Sequence, residues 1–175
     1  MKKAIILALA ILLVFALTAC SSVPTPTASP TSTATSAPSA TSTPEATPTP
    51  EPVIVDISDK DITNERLKEL VDSGEILGNV QWLYLGGNRI SDITPLESLT
   101  SLQMLDLYGN QINNLNPLIS LKDLRDLFLF DNQISDITPL QSLTNLRSLM
   151  LNDNPLTQKQ IDELQKALPN CNIDF

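Results

Sequence analysis

This chain has few side chains with which to do chemistry. Its 175 residues include no histidine and only two cysteines, Cys20 and Cys171, and acidic residues outnumber basic ones 20 to 11, for a net charge of −9. No cysteines are paired at metal-ligand spacing and no glycine-rich loop precedes a helix, so zinc sites and phosphate cradles lack their donor sets. Carboxylates remain. Asp106 with Asp126, or Asp131 with Asp153, are the pairs that could flank a glycosidic bond as acid and base, or hold a calcium ion with other oxygens. Each pair falls on an open surface in the pattern described below, and scattered solvated acids are the plainer reading. No enzyme activity, cofactor or metal is expected.

The context of Cys20 gives its thiol a task. Met1-Lys2-Lys3 is a positive start, residues 4–17 are uninterrupted apolar, and Leu17-Thr18-Ala19-Cys20 ends the run in small residues. A run of this length is short of the roughly twenty residues needed to span a bilayer. The segment resembles the bacterial lipobox, where a peptidase cuts before a cysteine whose thiol carries a diacylglyceryl group. The resemblance implies that residues 1–20 are a lipoprotein signal peptide and that Cys20 becomes the first mature residue. It further implies an extracytoplasmic protein anchored to the cell membrane, or to the outer membrane of a two-membrane bacterium. An ordinary secretory signal and an uncut anchor are the alternatives. One acyl chain holds a protein only marginally and two or three hold it durably.

Residues 21–52 contain 9 Thr, 8 Pro and 7 Ser, with Val23 the only large apolar side chain. Such a segment cannot bury a core. It reads as a disordered, extended spacer reaching at most ~100 Å at about 3.1 Å per residue, bare or O-glycosylated. With Lys2, Lys3, Glu45 and Glu51 set aside, residues 53–175 carry 9 basic and 18 acidic side chains. That surface repels phosphate backbones and anionic headgroups, so nucleic acid is excluded as a partner and contact with the membrane is expected only through the lipid. A partner with cationic patches fits better.

The elements that position these groups come from an internal repeat. Asn88, Asn110, Asn132 and Asn154 recur every 22 residues, and apolar columns recur with them: Val80, Leu102, Leu124 and Leu146; Leu83, Leu105, Leu127 and Leu149; Leu85, Leu107, Leu129 and Leu151; Ile90, Ile112, Ile134 and Leu156. Three units continue into Ser91-Asp92-Ile93-Thr94-Pro95-Leu96 and its counterparts at residues 113–118 and 135–140. The pattern LxxLxLxxNxI followed by xDIxPLxxL is similar to the leucine-rich repeat of bacterial internalin-type proteins. In Leu83-Tyr84-Leu85 the alternation turns the leucines inward and the tyrosine outward, as a strand requires. A short polar amide such as asparagine satisfies backbone groups at a bend where no sheet ladder exists. Pro95, Pro117 and Pro139 suit the first position of a helical or 3₁₀ turn.

The expected fold is α/β: a short curved leucine-rich-repeat solenoid, one parallel strand per repeat, helical or 3₁₀ turns on the convex side, and a helix capping each end. Repeats occupy residues 80–156, with an N-terminal cap at 53–79 and a C-terminal cap at 157–175. Thr63 and Thr157 are N-cap residues with the apolar pairs Ile62/Leu67 and Leu156/Ile161 as staples, and Thr157 to Gln160 fits a capping box. Helices are predicted over 64–73 and 158–168, and edge strands over 53–57 and 172–175. Cys171, in the last cap, is expected to be a buried thiol, with a reactive surface thiol as the alternative.

Placement of the aromatic residues carries the functional signal. Trp82, Tyr84, Tyr108, Phe128 and Phe130 fall at outward strand positions although leucines already fill the core, and Met104 and Met150 extend the same concave face. With half of each ring exposed the patch is on the order of 500 Å². Tyr84, Phe128, Tyr108 and Phe130 should form one continuous strip, flanked by Asp106 and Asp126. The expectation is a monomeric surface adaptor binding a protein or peptide on this face, as the resemblance to internalin-type proteins also implies. A structural envelope scaffold and carbohydrate binding on the same face are the alternatives.

For the anchor, Cys20→Ser is expected to release the protein from membranes or leave an unprocessed precursor, read by detergent partitioning and mass. Normal processing with unchanged partitioning would remove the lipid.

Overall fold

The computed structural model describes residues 51–175, so the expectations for residues 1–50, Cys20 among them, lie outside the described residues. One sheet of six parallel strands is built in strict chain order: β1 (Ile54–Asp56), β2 (Trp82–Tyr84), β3 (Met104–Asp106), β4 (Asp126–Phe128), β5 (Ser148–Met150) and β6 (Asn172–Asp174). Parallel neighbours need a long crossover. Here the crossovers between β2 and β5 contain no α-helix, only 3₁₀ turns at Thr94–Ser98, Asn116–Ser120 and Thr138–Ser142.

Each turn opens on Thr94, Asn116 or Thr138 and carries its proline in second place, one position later than expected. A polar side chain just upstream shapes the approach: Asp92, Asn114 and Asp136 accept from the backbone N–H two residues on, at 2.9, 3.0 and 2.9 Å. The side chains of Thr94 and Thr138, and then these backbone bonds, hold the Asp92 and Asp136 carboxyls below their ordinary range.

Register follows the 22-residue period. Val55, Leu83, Leu105, Leu127, Leu149 and Ile173 align across the sheet, and the four leucines are fully buried. The repeated leucine and isoleucine columns join one continuous core, with Leu156 half-buried against it, while Ile119 on the second 3₁₀ turn stays exposed. The four asparagines hold the corners. Asn110 Oδ1 accepts from Ile90 N–H at 3.0 Å, while its Nδ2 donates to the carbonyls of Leu85, Leu107 and Tyr108 at 3.0, 3.1 and 3.1 Å. Asn132 repeats this between Ile112 N–H and the Leu107 carbonyl, and Asn154 between Ile134 N–H and the Leu129 carbonyl. Asn88 reaches back to Ile62 N–H and the Ile57 carbonyl, fastening the first repeat to the segment before it.

A helix stands at each end. In α1 (Asn64–Asp72) Thr63 Oγ1 accepts from Arg66 N–H, and in α2 (Gln158–Ala167) Thr157 and Gln160 form the reciprocal capping box. Both helices end one residue before the predicted limit. Cys171 is 5% exposed, and burial, then the Asp126 charge, push its thiol up. A thiol so placed is a poor nucleophile.

Two neighbouring residues test the strand faces. Leu127→Ala removes a fully buried side chain and is expected to cost about 2–5 kcal/mol, weakening the whole array together because each coil leans on its neighbours. Phe128→Ala, on the outer face, should cost far less in the same denaturation experiment. Equal losses would show the faces to be misassigned.

Candidate functional site

The outer side of the sheet is arranged in rows set by the register. The first runs Ile54, Trp82, Met104, Asp126, Ser148 and Asn172, and the second Asp56, Tyr84, Asp106, Phe128, Met150 and Asp174. A third lies just past the strands, where backbone bonds from Gly87 to the Tyr108 carbonyl and from Gly109 to the Phe130 carbonyl continue the ladder. It contains Gly86, Tyr108, Phe130 and Asn152. All nine residues singled out from the sequence, Trp82, Tyr84, Met104, Asp106, Tyr108, Asp126, Phe128, Phe130 and Met150, lie in these rows, and all are half-buried.

The rows correct two expectations. Tyr84 and Phe128 share a row but stand two strands apart with Asp106 between them, so the aromatic strip is interrupted. Among the described residues the stacked ring pair is Tyr108 with Phe130, centroids 5.0 Å apart and planes 9° from parallel. The rings are also less exposed than supposed, all five being half-buried, with Tyr108 and Phe130 covering one another. Gly86 shows how closely Tyr108 lies against the backbone: a Cβ there would collide with the Tyr108 ring, so only glycine admits the ring at that height.

Acidic groups share the face. Burial raises the Asp106 carboxyl above its ordinary range; the Tyr108 N–H it accepts at 3.1 Å works against this, and the nearby Asp56 charge adds to it. The Asp59 charge, then burial, raise the Tyr108 phenol. Asp106 and Asp126 are diagonal rather than opposed, since Asp126 aligns with Met104. Asp131 and Asp153 serve the backbone. They occupy the corner position before the asparagine with φ of 55° and 56°, where the preceding repeats have Gly87 and Gly109 at 64° and 60°, a left-handed conformation that glycine and aspartate adopt most readily. Among the described residues no group of three or more acids or cysteines is placed to hold a metal.

Sequence reasoning missed Ile54, which is 50% exposed at the end of the first row. The signal was present, because Val55 aligns with the inward leucines and its neighbours Ile54 and Asp56 must then face outward. It also missed Arg125 and Arg147, which occupy the column immediately before the strands.

The sign of the Asp106 shift gives a pH-dependent expectation. A carboxyl raised in the folded state opposes folding once ionised, so the penalty begins just above the ordinary carboxylate range and persists at neutrality. Asp106→Asn is therefore expected to raise Tm at about pH 7 by less than about 4 °C. The gain should vanish at about pH 3, where Asp106 is protonated in both states. A fall in Tm at neutral pH would show that the charged hydrogen bond to Tyr108 outweighs burial.

The repeat places the chain among known proteins. The family described as leucine-rich repeats in two copies matches residues 78–120 and again residues 122–166, together half of the chain. Similar solved structures include an internalin C2 of Listeria monocytogenes, 38% identical with a TM-score of 0.61, covering 69% of this chain and 50% of that one. A leucine-rich-repeat protein of Leptospira interrogans is 34% identical with a TM-score of 0.54, covering 60% and 27%. A second Listeria monocytogenes internalin is 32% identical with a TM-score of 0.56, covering 69% and 32%. This chain thus spans half or less of the length of these relatives, and no curated protein matches it. The asparagine corners, the one-strand period and these matches together establish that the chain belongs to the leucine-rich-repeat family.

Proposed function

We propose that this protein is a lipid-anchored extracytoplasmic adaptor, held to the membrane through Cys20, spaced from it by residues 21–52, and binding a protein or peptide on the outer face of its sheet. Leucine-rich-repeat domains are generally non-enzymatic scaffolds for protein interaction, and internalins are surface proteins. The reading is carried by the content of the outer face: half-buried Trp82, Tyr84, Met104, Tyr108, Phe128, Phe130 and Met150 interleaved with Asp106 and Asp126. Rigid aromatic area at modest exposure is what central interface residues supply. The acids favour a partner with cationic patches and set its association rate. Stacking of sugars on this face is less favoured, because Tyr108 has Phe130 on one side and Gly86 against its ring on the other.

The test begins with capture by the immobilised chain from envelope and host extracts. Replacing Tyr108, Phe128 and Phe130 together by serine is expected to abolish capture of the partner found while the chain stays cooperatively folded at the assay temperature, with a lower melting temperature because these half-buried rings pack on one another and on the sheet. Capture by wild type should weaken with added salt. Full-strength capture by the triple variant would move the function off this face and favour a scaffold.

A further inference from the structure

Along the edge where the chain runs into its strands lies a groove of about 410 Å³, lined by Gln103, Asp123, Arg125, Thr144, Asn145 and Arg147, with Asn170 and the buried Leu146 completing it. Arg125 and Arg147 occupy consecutive rungs, since Arg147 N–H donates to the Arg125 carbonyl at 2.7 Å. Their backbones are thus about one strand spacing apart, roughly 4.8 Å. In a domain with twice as many acids as bases, both guanidinium groups lack a carboxylate partner among the described residues. The ion pairs among the described residues use Arg66, Lys68, Arg89 and Lys159. Asp123 shares the groove yet pairs with neither arginine. Two like charges stacked on adjacent strands oppose each other, and an anion between them would relieve that.

The remaining walls define the rest of the ligand. Gln103, Thr144 and Asn170 have no side-chain hydrogen bond among the described residues, and Asn145 uses only its Nδ2, donating to the Lys122 carbonyl at 2.9 Å. Amides and a hydroxyl both donate and accept, and Asp123 accepts. That set complements hydroxyl groups, which also do both, while two guanidinium forks complement a planar carboxylate. The apolar contribution is the buried Leu146 alone, which offers no pocket for an apolar peptide side chain. We propose that this groove binds an acidic sugar, a uronic-acid-type ring whose carboxylate is gripped by Arg125 and Arg147 and whose hydroxyls meet Gln103, Asp123 and Asn145. The site is separate from the aromatic rows and does not depend on the function proposed for them.

Titration calorimetry of the full chain in detergent tests this with a uronic-acid trisaccharide, its carboxyl-reduced neutral counterpart, sodium sulfate, and a short peptide with a free C-terminal carboxylate. The acidic trisaccharide should bind, and the neutral one at least about tenfold more weakly. Arg125→Gln and Arg147→Gln should each weaken binding about tenfold, with Arg147→Lys also losing affinity because it keeps charge without the fork. Both side chains are exposed, so melting curves should not move. Replacing Tyr108, Phe128 and Phe130 by serine should leave the titration unchanged. The proposal is overturned if the acidic sugar fails to bind, if the neutral sugar, sulfate or the peptide binds as tightly, if the arginine variants bind normally, or if the serine variant loses the sugar.

Discussion

A chain that turns sharply every 22 residues strands backbone amides and carbonyls at each corner, and here an asparagine side chain takes them up. Each asparagine works between coils as well as within one, accepting from an amide and donating to a carbonyl of the coil before it. Asn88, Asn110 and Asn132 are almost wholly buried, where an unmet polar group is costly. No buried side-chain nitrogen or oxygen is left without a partner among the described residues. The inward leucines supply most of the stabilisation, but the asparagines fix the height at which one coil meets the next, and so the register of the sheet.

That register decides which side chains meet on the outer face. Because the core columns are filled by aliphatic residues and the corners by asparagine and glycine or aspartate, most outward positions carry little structural duty and can differ from coil to coil. The contrast is sharp on β3 and β4: Met104 and Asp106 face outward on one, Asp126 and Phe128 on the next, while Leu105 and Leu127 between them are interchangeable. The same freedom applies to the column before the strands, where Gln81 and Gln103 give way to Arg125 and Arg147.

Most of the fold was legible because its causes are local and periodic. Thr63 and Thr157 announced helix starts, the prolines announced the 3₁₀ turns, and the asparagine spacing announced the coil. The candidate site was legible only in part. Alternation showed which residues leave the core, but whether two of them touch depends on the neighbouring strand, and Asp106 divides a strip that seemed continuous when aromatics were counted without rows. Nothing in the repeat pattern singles out Gly86, whose role is to admit the Tyr108 ring. The corner role of Asp131 and Asp153 is a matter of φ, which their carboxylates conceal. The groove around Arg125 depends on the absence of partners, which no spacing reveals.

The asparagine bonds join identical positions of successive coils, and this gives the gene a particular kind of freedom. Duplication or excision of one whole unit between residues 80 and 156 leaves every remaining asparagine facing the same donor and acceptor on its new neighbour. A length change that falls within a strand or a corner turns leucines outward and orphans the corner amides. The domain can therefore lengthen or shorten by unequal recombination in steps of one coil, each step adding or removing a complete set of outward side chains, without the fold having to be reinvented.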